Sequence, residues 1–193
     1  MPWETAYDRT EVLSRAMHVF WAHGYEATSM ADLVTATGIN RGSIYAAFDG
    51  KRSLFIEVLR HYDQIHRHGH LSHIAQSYPP RQAIIAAFEG AARNTGCGDT
   101  PGGCLMVNTV LELSPHDAEI RQLTDDCLGE VEAFFFSMIK AAKREGTIRS
   151  SLPSRARAKA LLGLFLGLRV LTRGTAHKSS FDAITSQADS MLD

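Results

Sequence analysis

Arg41, Gly42 and Ser43 stand together in this chain, followed by Tyr45 and Lys51, and these residue types suit contact with nucleic acid. A guanidinium pairs bidentately with guanine O6 and N7, so Arg41 is the candidate base reader. Gly42 lets the backbone approach a groove, and Ser43 can donate to a base or a phosphate. Tyr45 suits a phosphate through its hydroxyl, and Lys51 suits another. Phosphate contacts position a reader and base contacts specify sequence, so both kinds are needed.

Two other groups invite chemistry. Cys104 follows Gly102-Gly103 and opens an apolar stretch, and a helix N-terminus is a setting in which thiols become reactive. Cys97 lies near enough across a glycine-rich loop to meet it, which makes the two a redox candidate. The plainer alternative is a small buried hydrophobe. His61, His66, His68, His70 and His73 crowd one segment, and His66 with His70 would share a helical face. Imidazoles at that spacing bind zinc or nickel. Gly69 falls between them, so an exposed polar connector without metal is the simpler expectation. For an enzyme the signals are missing: no P-loop, no G-x-S-x-G and no H-E-x-x-H. The glycine-rich loop at 96–103 follows a helix rather than a strand, so it does not read as a phosphate cradle.

The elements that must hold Arg41 are legible in residues 28–48. Ser29 and Asp32 have the spacing of a capping box, which starts a helix with Ala31, Leu33, Val34 and Ala36 on its apolar side. Gly38 supplies the left-handed residue on leaving it. Asn40 caps the next helix, whose Ile44 and Phe48 face the core. Two short helices so closely joined predict a helix-turn-helix over about 29–48, with the first turn of the second helix exposed. The N-terminus of its first helix, at Thr28 and Ser29, is a further phosphate site. Asp49 opposes a nearby phosphate unless it caps the helix that begins at Lys51.

The rest of the chain reads helical too, with no strand-like alternation and no repeat. Apolar stripes recur at helical spacing in Leu13, Met17 and Phe20, then in Leu54, Phe55, Val58, Leu59 and Tyr62. Gly69 and Pro79-Pro80 are expected to break the pattern. Further helices are expected from Cys104 to Leu113, from about Asp117 to Glu145, from Pro153 to about Arg173, and from Phe181 to Leu192. A chain of 193 residues with 45% apolar content can bury a core as one domain or two small ones. Net charge is −1, and residues 1–52 hold five basic and six acidic side chains, so charge alone gives no hint of nucleic acid. No signal-peptide core interrupts the first 20 residues. The longest apolar run, Ala160 to Leu168, stops at Arg169, well short of the ~20 residues of a membrane span. Three cysteines make no disulfide framework. A cytoplasmic protein with no membrane partner is expected.

Phe20, Gly24, Thr28, the run Ala36-Thr37-Gly38-Ile39-Asn40, then Ser43-Ile44-Tyr45, Phe48 and Lys51 resemble the N-terminal domain of the TetR/AcrR family of bacterial transcriptional regulators. The likeness is close over roughly residues 7–60. It implies an all-α fold of about nine helices. A helix-turn-helix DNA-binding domain would occupy residues 1–50, and an effector-binding and dimerisation domain residues 51–193. It also implies that Tyr45 and Lys51 touch the DNA backbone, and that a homodimeric repressor leaves double-stranded operator DNA when a small molecule binds. Residues 1–8 carry no basic arm of the sort many members have. Gly163 and Gly167 would let another helix approach closely, so they, Phe165 and Val170 are expected at the dimer interface. Tyr62, Phe88, Met106, Asn108, Phe134 and Met138 are the expected effector pocket, with Glu112 as a further polar handle. Their mostly apolar character suggests an apolar or aromatic effector. No cofactor is expected. The alternatives are a regulator of the same fold that senses oxidants or electrophiles through Cys104, and a helical adaptor without DNA binding. Loss of Arg41 would abolish an operator reader and barely affect an adaptor.

Overall fold

Caps and apolar spacing set the helices, and the helices set two cores. The computed structural model describes residues 7–95, 101–149, 153–174 and 177–193. Among these the chain is all-helical: α1 (Arg9–His23), α2 (Met30–Thr37), α3 (Arg41–Phe48), α4 (Lys51–Tyr62), α5 (Gly69–Ser77), α6 (Pro80–Arg93), α7 (Leu105–Glu112), α8 (Ala118–Arg144), α9 (Ser154–Leu171) and α10 (Lys178–Ser190). A π-helical turn, Asp63–His68, joins α4 to α5 without a break. Counting that rod once gives nine helical bodies, in line with the resemblance.

The expected break at Gly69 does not occur. Gly69 keeps helical torsions, φ −61° and ψ −45°. A glycine in a helix interior costs about 1 kcal/mol, which is too little to stop a helix that packs on both sides of it. The chain turns only at Tyr78, before Pro79 and Pro80. The turn matters because its wider ring places His66, Arg67 and His70 against the middle of the molecule.

The first core gathers Phe20 and Trp21 from α1, Leu33 from α2, Ile44 and Phe48 from α3, and Leu54, Phe55 and Leu59 from α4. It also takes in Leu105 and Met106 from α7 and Ile120 from α8, so the N-terminal helices are seated on the rest of the chain. Fully burying one such side chain is worth about 1.5–3 kcal/mol. The second core joins α5, α6, α8, α9 and α10 around Phe88, Phe135, Ile139 and Leu161. None of the described helices is long and apolar enough to cross a membrane.

Polar links tie the two cores. Arg173 donates to the carbonyls of Trp21 and Ala22 at 2.6 and 2.8 Å, at the end of α1. Trp21 Nε1 donates to the carbonyl of Gly102 at 3.1 Å. The carboxylate of Glu112 accepts from the backbone N–H groups of Tyr25 and Glu26, in the turn before α2. Gly24 makes room for it: φ is +85°, and a Cβ there would stand 3.0 Å from Glu112 Oε2. Arg52 reaches Asp117 and Glu119 at the start of α8, and that bond holds the Asp117 carboxyl down at about 2.

Candidate nucleic-acid interface and ligand cavity

Local capping builds the helix-turn-helix as expected. Ser29 accepts from the N–H of Asp32, and Asp32 accepts from the N–H of Ser29, which closes the capping box. Gly38 adopts the left-handed conformation, φ +75°. Asn40 Oδ1 accepts from the N–H of Ser43 at 2.9 Å and starts α3. Ile44 and Phe48 anchor α3 in the first core, which turns Arg41 and Gly42 out to solvent.

The predicted contacts divide into three groups. Arg41, Gly42 and Tyr45 are exposed on one end of α3, with the Arg41 guanidinium 5.6 Å from the Tyr45 ring. Tyr45 is 47% exposed and stays free to give its hydroxyl outward. Ser43 is half-buried, and its N–H is taken by the Asn40 cap. Lys51 lies 4.3 Å over the Tyr25 ring, a cation–π contact that parks the ammonium near the same surface. Ser29 is exposed at the start of α2. Thr28 is the exception: it is buried and its hydroxyl donates to the Gly24 carbonyl at 2.6 Å. It braces the turn rather than presenting a donor. Asp49 does not cap α4. It ends α3 in a left-handed conformation, φ 59°, and Gly50 takes the N-cap position without a side-chain bond.

A cavity of about 300 Å³ lies among α4, the π turn, α5, α6, α7, α8 and α9. Tyr62 and Met106 line it, as expected. The other four expected residues do not. Phe88 is fully buried, tilted against Phe135 at 5.7 Å and edge-on at 5.5 Å to Phe165. Phe134 and Met138 border a shallow groove on the outer side of α8 with Ser72 and Glu130. Asn108 is half-buried elsewhere, and its amide nitrogen has no hydrogen-bond partner among the described residues. Glu112 is spent on the turn at Tyr25. Side chains that only tertiary packing gathers take their place: His66, His70, Cys127, Leu128, Val131, Leu166 and Arg169.

At the inner wall of the cavity Arg169 donates to the Tyr62 hydroxyl at 3.4 Å, and Tyr62 donates to Cys104 Sγ at 3.4 Å. Burial and then the neighbouring Cys104 push the Tyr62 hydroxyl well above its ordinary value. Tyr62 stacks on His66 at 4.8 Å and meets Trp21 edge-on at 5.1 Å, so the wall touches α1 directly. Burial, and next the Arg169 charge, hold both His66 and His70 below the usual histidine value. Burial pushes the Cys127 thiol up, and Asp63 adds to it, so Cys127 stays a neutral thiol. Cys104 is half-buried at the cavity edge. Cys97 lies outside the described residues. Among the described residues no group of three or more His, Cys, Asp or Glu side chains is placed to hold a metal.

On α9, Gly163, Gly167 and Val170 are exposed, and a Cβ at either glycine would meet nothing within 4 Å. Phe165, expected beside them, turns the other way and lines the cavity. Two residues along a helix is about half a revolution, so it could not share a face with Gly163 and Gly167.

Two family models match the chain. Residues 12–58 match "bacterial regulatory proteins, tetR family", and residues 80–187 match "tetracyclin repressor-like, C-terminal domain". The repressor ComR of Escherichia coli K12 is 42% identical over 118 residues, covering 59% of this chain and 55% of that one. The chain thus spans little more than half of that relative. The regulator YezE of Bacillus subtilis is 28% identical over 142 residues, 74% of this chain and 73% of its own. Among solved structures, a cysteine mutant of the regulator CifR in complex with 26-base-pair operator DNA superposes with a TM-score of 0.86 at 26% identity, over 97% of this chain and 98% of that one.

Proposed function

The chain belongs to the TetR family of bacterial regulatory proteins, and on that premise we propose that it is an operator-binding transcriptional repressor that works as a homodimer and is released by a small molecule. The observation that carries the reading is the free end of α3. Arg41 and Gly42 are fully exposed there on a helix that Asn40 caps and that Ile44 and Phe48 fix to the core. Arg41 reads a base, Ser43, Tyr45 and Lys51 hold phosphates, and the N-terminus of α2 at Ser29 adds a further phosphate site. The CifR complex, with operator DNA on the same fold, supports this use of the surface.

A second copy docks on α9, where Ala156, Ala160, Gly163, Gly167 and Val170 form an exposed strip of small and apolar residues. Small residues let helix backbones approach closely, and two-fold pairing sets the readers at half-sites a helical turn or a multiple of it apart.

The cavity controls the reader through two contacts with α1. Tyr62 in the cavity wall packs on Trp21, and Arg173, one turn beyond Arg169, holds the last carbonyls of α1. A ligand that moves this end of α9 or Tyr62 displaces α1, and with it α2 and α3, which share its core. It acts only to the extent that it binds one arrangement better than the other.

The test is a fluorescence-anisotropy titration on the DNA flanking the protein's own gene, against a scrambled duplex, at two salt concentrations. Preference for the natural sequence, with affinity falling as salt rises, is expected. Equal binding to both duplexes would reject the operator reading, and binding to neither would favour the adaptor alternative.

A second reading has one observation in its favour. Cys104 Sγ opens on the cavity beside Arg169 and Tyr62, so an electrophile small enough to enter reaches the sulfur. Peptide mass spectrometry after N-ethylmaleimide, followed by the same titration, decides it: modification at Cys104 that releases DNA supports cysteine sensing.

A further inference from the structure

The cavity wall holds two arginines in different circumstances. Arg67 forks onto Asp63 and reaches Glu130, so its charge is neutralised inside the protein. Arg169 has the Tyr62 hydroxyl and Cys104 as its partners, which outweigh burial and raise its pKa, and no carboxylate among the described residues approaches its guanidinium. His66 and His70 face the same space and are held neutral by burial and by Arg169 itself. Arg169 is therefore the one arginine lining the cavity that no carboxylate in the described chain pairs. A largely buried cation without a carboxylate partner keeps capacity for one, and a cavity that presents it is suited to receive the anion from outside.

Much of the remaining lining is apolar: Leu71, Leu128, Val131, Phe165 and Leu166. The cavity thus combines a few polar groups with a larger hydrocarbon surface. About 300 Å³ holds a body the size of two fused rings, at the small end of ligand sites. Gly90 leaves room beside His70, since a Cβ there would stand 2.8 Å from His70 Nε2.

We infer that the effector is an amphipathic carboxylic acid, its carboxylate paired bidentately with Arg169 and its aryl or alkyl body laid against Phe165, Leu128 and Val131. This rests on the reading of the chain as ligand-responsive and goes beyond it by naming the ligand class. The carboxylate competes with the long Arg169–Tyr62 bond, which is the contact that leads to Trp21. Recognition and response thus begin at one side chain. An apolar effector without an anionic group would leave that guanidinium without a carboxylate.

The experiment compares 2-naphthoate with 2-naphthamide, which match in shape and differ in charge, by calorimetry on the full chain near neutral pH. The acid is expected to bind about tenfold or more tightly than the amide. Arg169→Gln should reduce that ratio to within about twofold, and Arg169→Lys, which keeps the charge, should retain a preference for the acid. Protection of Cys104 from N-ethylmaleimide by the naphthoate places the acid in this cavity, and that readout needs no variant to fold. Equal binding of acid and amide, binding of neither at about 1 mM, an unchanged preference in Arg169→Gln, or no protection of Cys104 would each overturn the inference. None of these readouts involves DNA. Failure of operator binding and failure of this inference are therefore separately visible.

Discussion

Arg41 and Arg169 lie in different regions, one at the start of α3 and the other in the cavity wall, and share one property: neither guanidinium meets a carboxylate among the described residues. Elsewhere Arg9 pairs with Glu57, Arg52 with Asp117, Arg67 with Asp63 and Arg81 with Asp189. The two differ in what that freedom costs. Arg41 is exposed, and water solvates its charge at no expense to the fold. Arg169 is mostly withdrawn from water, with a long bond to the Tyr62 hydroxyl. An exposed free arginine is common, so Arg41 gains its meaning from the helix that aims it. A buried one is rare, so Arg169 is informative by itself.

The comparison breaks most visibly at Arg41. Arg41→Ala should weaken operator binding by about 1–3 kcal/mol, roughly 5- to 150-fold, with an unchanged melting temperature. A similar loss on scrambled DNA would make Arg41 a phosphate contact instead. The next effect sets the two cavity arginines against each other. Arg67→Met strands Asp63, whose carboxyl is lowered because the Arg67 fork outweighs burial. It should cost about 1–2 kcal/mol of stability, discounted for partial exposure, as read by urea unfolding. Arg169→Met strands no carboxylate and should leave the ligand-free protein as stable or up to about 1 kcal/mol more so. If both lower stability alike, Arg169 has a hidden counter-charge and the contrast fails.

The smallest effect is one of pH. His66 and His70 titrate below the usual histidine value in the fold, so the unfolded chain takes up protons first as pH falls. Their stabilising contribution is complete above about 6.5 and is lost as pH drops from there through their folded values. The thermal midpoint should decline between about pH 7.5 and 5.5, and the double variant His66→Gln, His70→Gln should decline less. The Asp117–Arg52 link should add nothing in that range, because Asp117 titrates at about 2.

The helix-turn-helix was legible in the sequence because its determinants are local. Ser29 with Asp32, Gly38 and Asn40 act within a few residues, and each does what its type and spacing imply. Thr28 was misplaced because a hydroxyl near a helix start can turn inward as readily as outward, and only the bond to Gly24 decides. The cavity was less legible because six helices and a π turn meet there. Phe88, Phe134 and Met138 have the right chemistry, but their direction depends on how α6 and α8 rotate against α9. One sign was present: Arg169 ends an apolar run one helical turn after Phe165, so both share a face. The misplacement of Phe165 at the dimer interface was avoidable by the same geometry. The continuity of the rod through Gly69 was not, since no residue type marks a π turn.

The account turns on paired readers led by Arg41, and hydroxyl-radical footprinting of the DNA flanking the protein's own gene tests it most directly. Wild type should protect two half-sites whose centres lie about one helical turn or a multiple of it apart, and Arg41→Ala should lose both together. A single protected patch, uniform protection along the duplex, or a footprint that survives Arg41→Ala would contradict it.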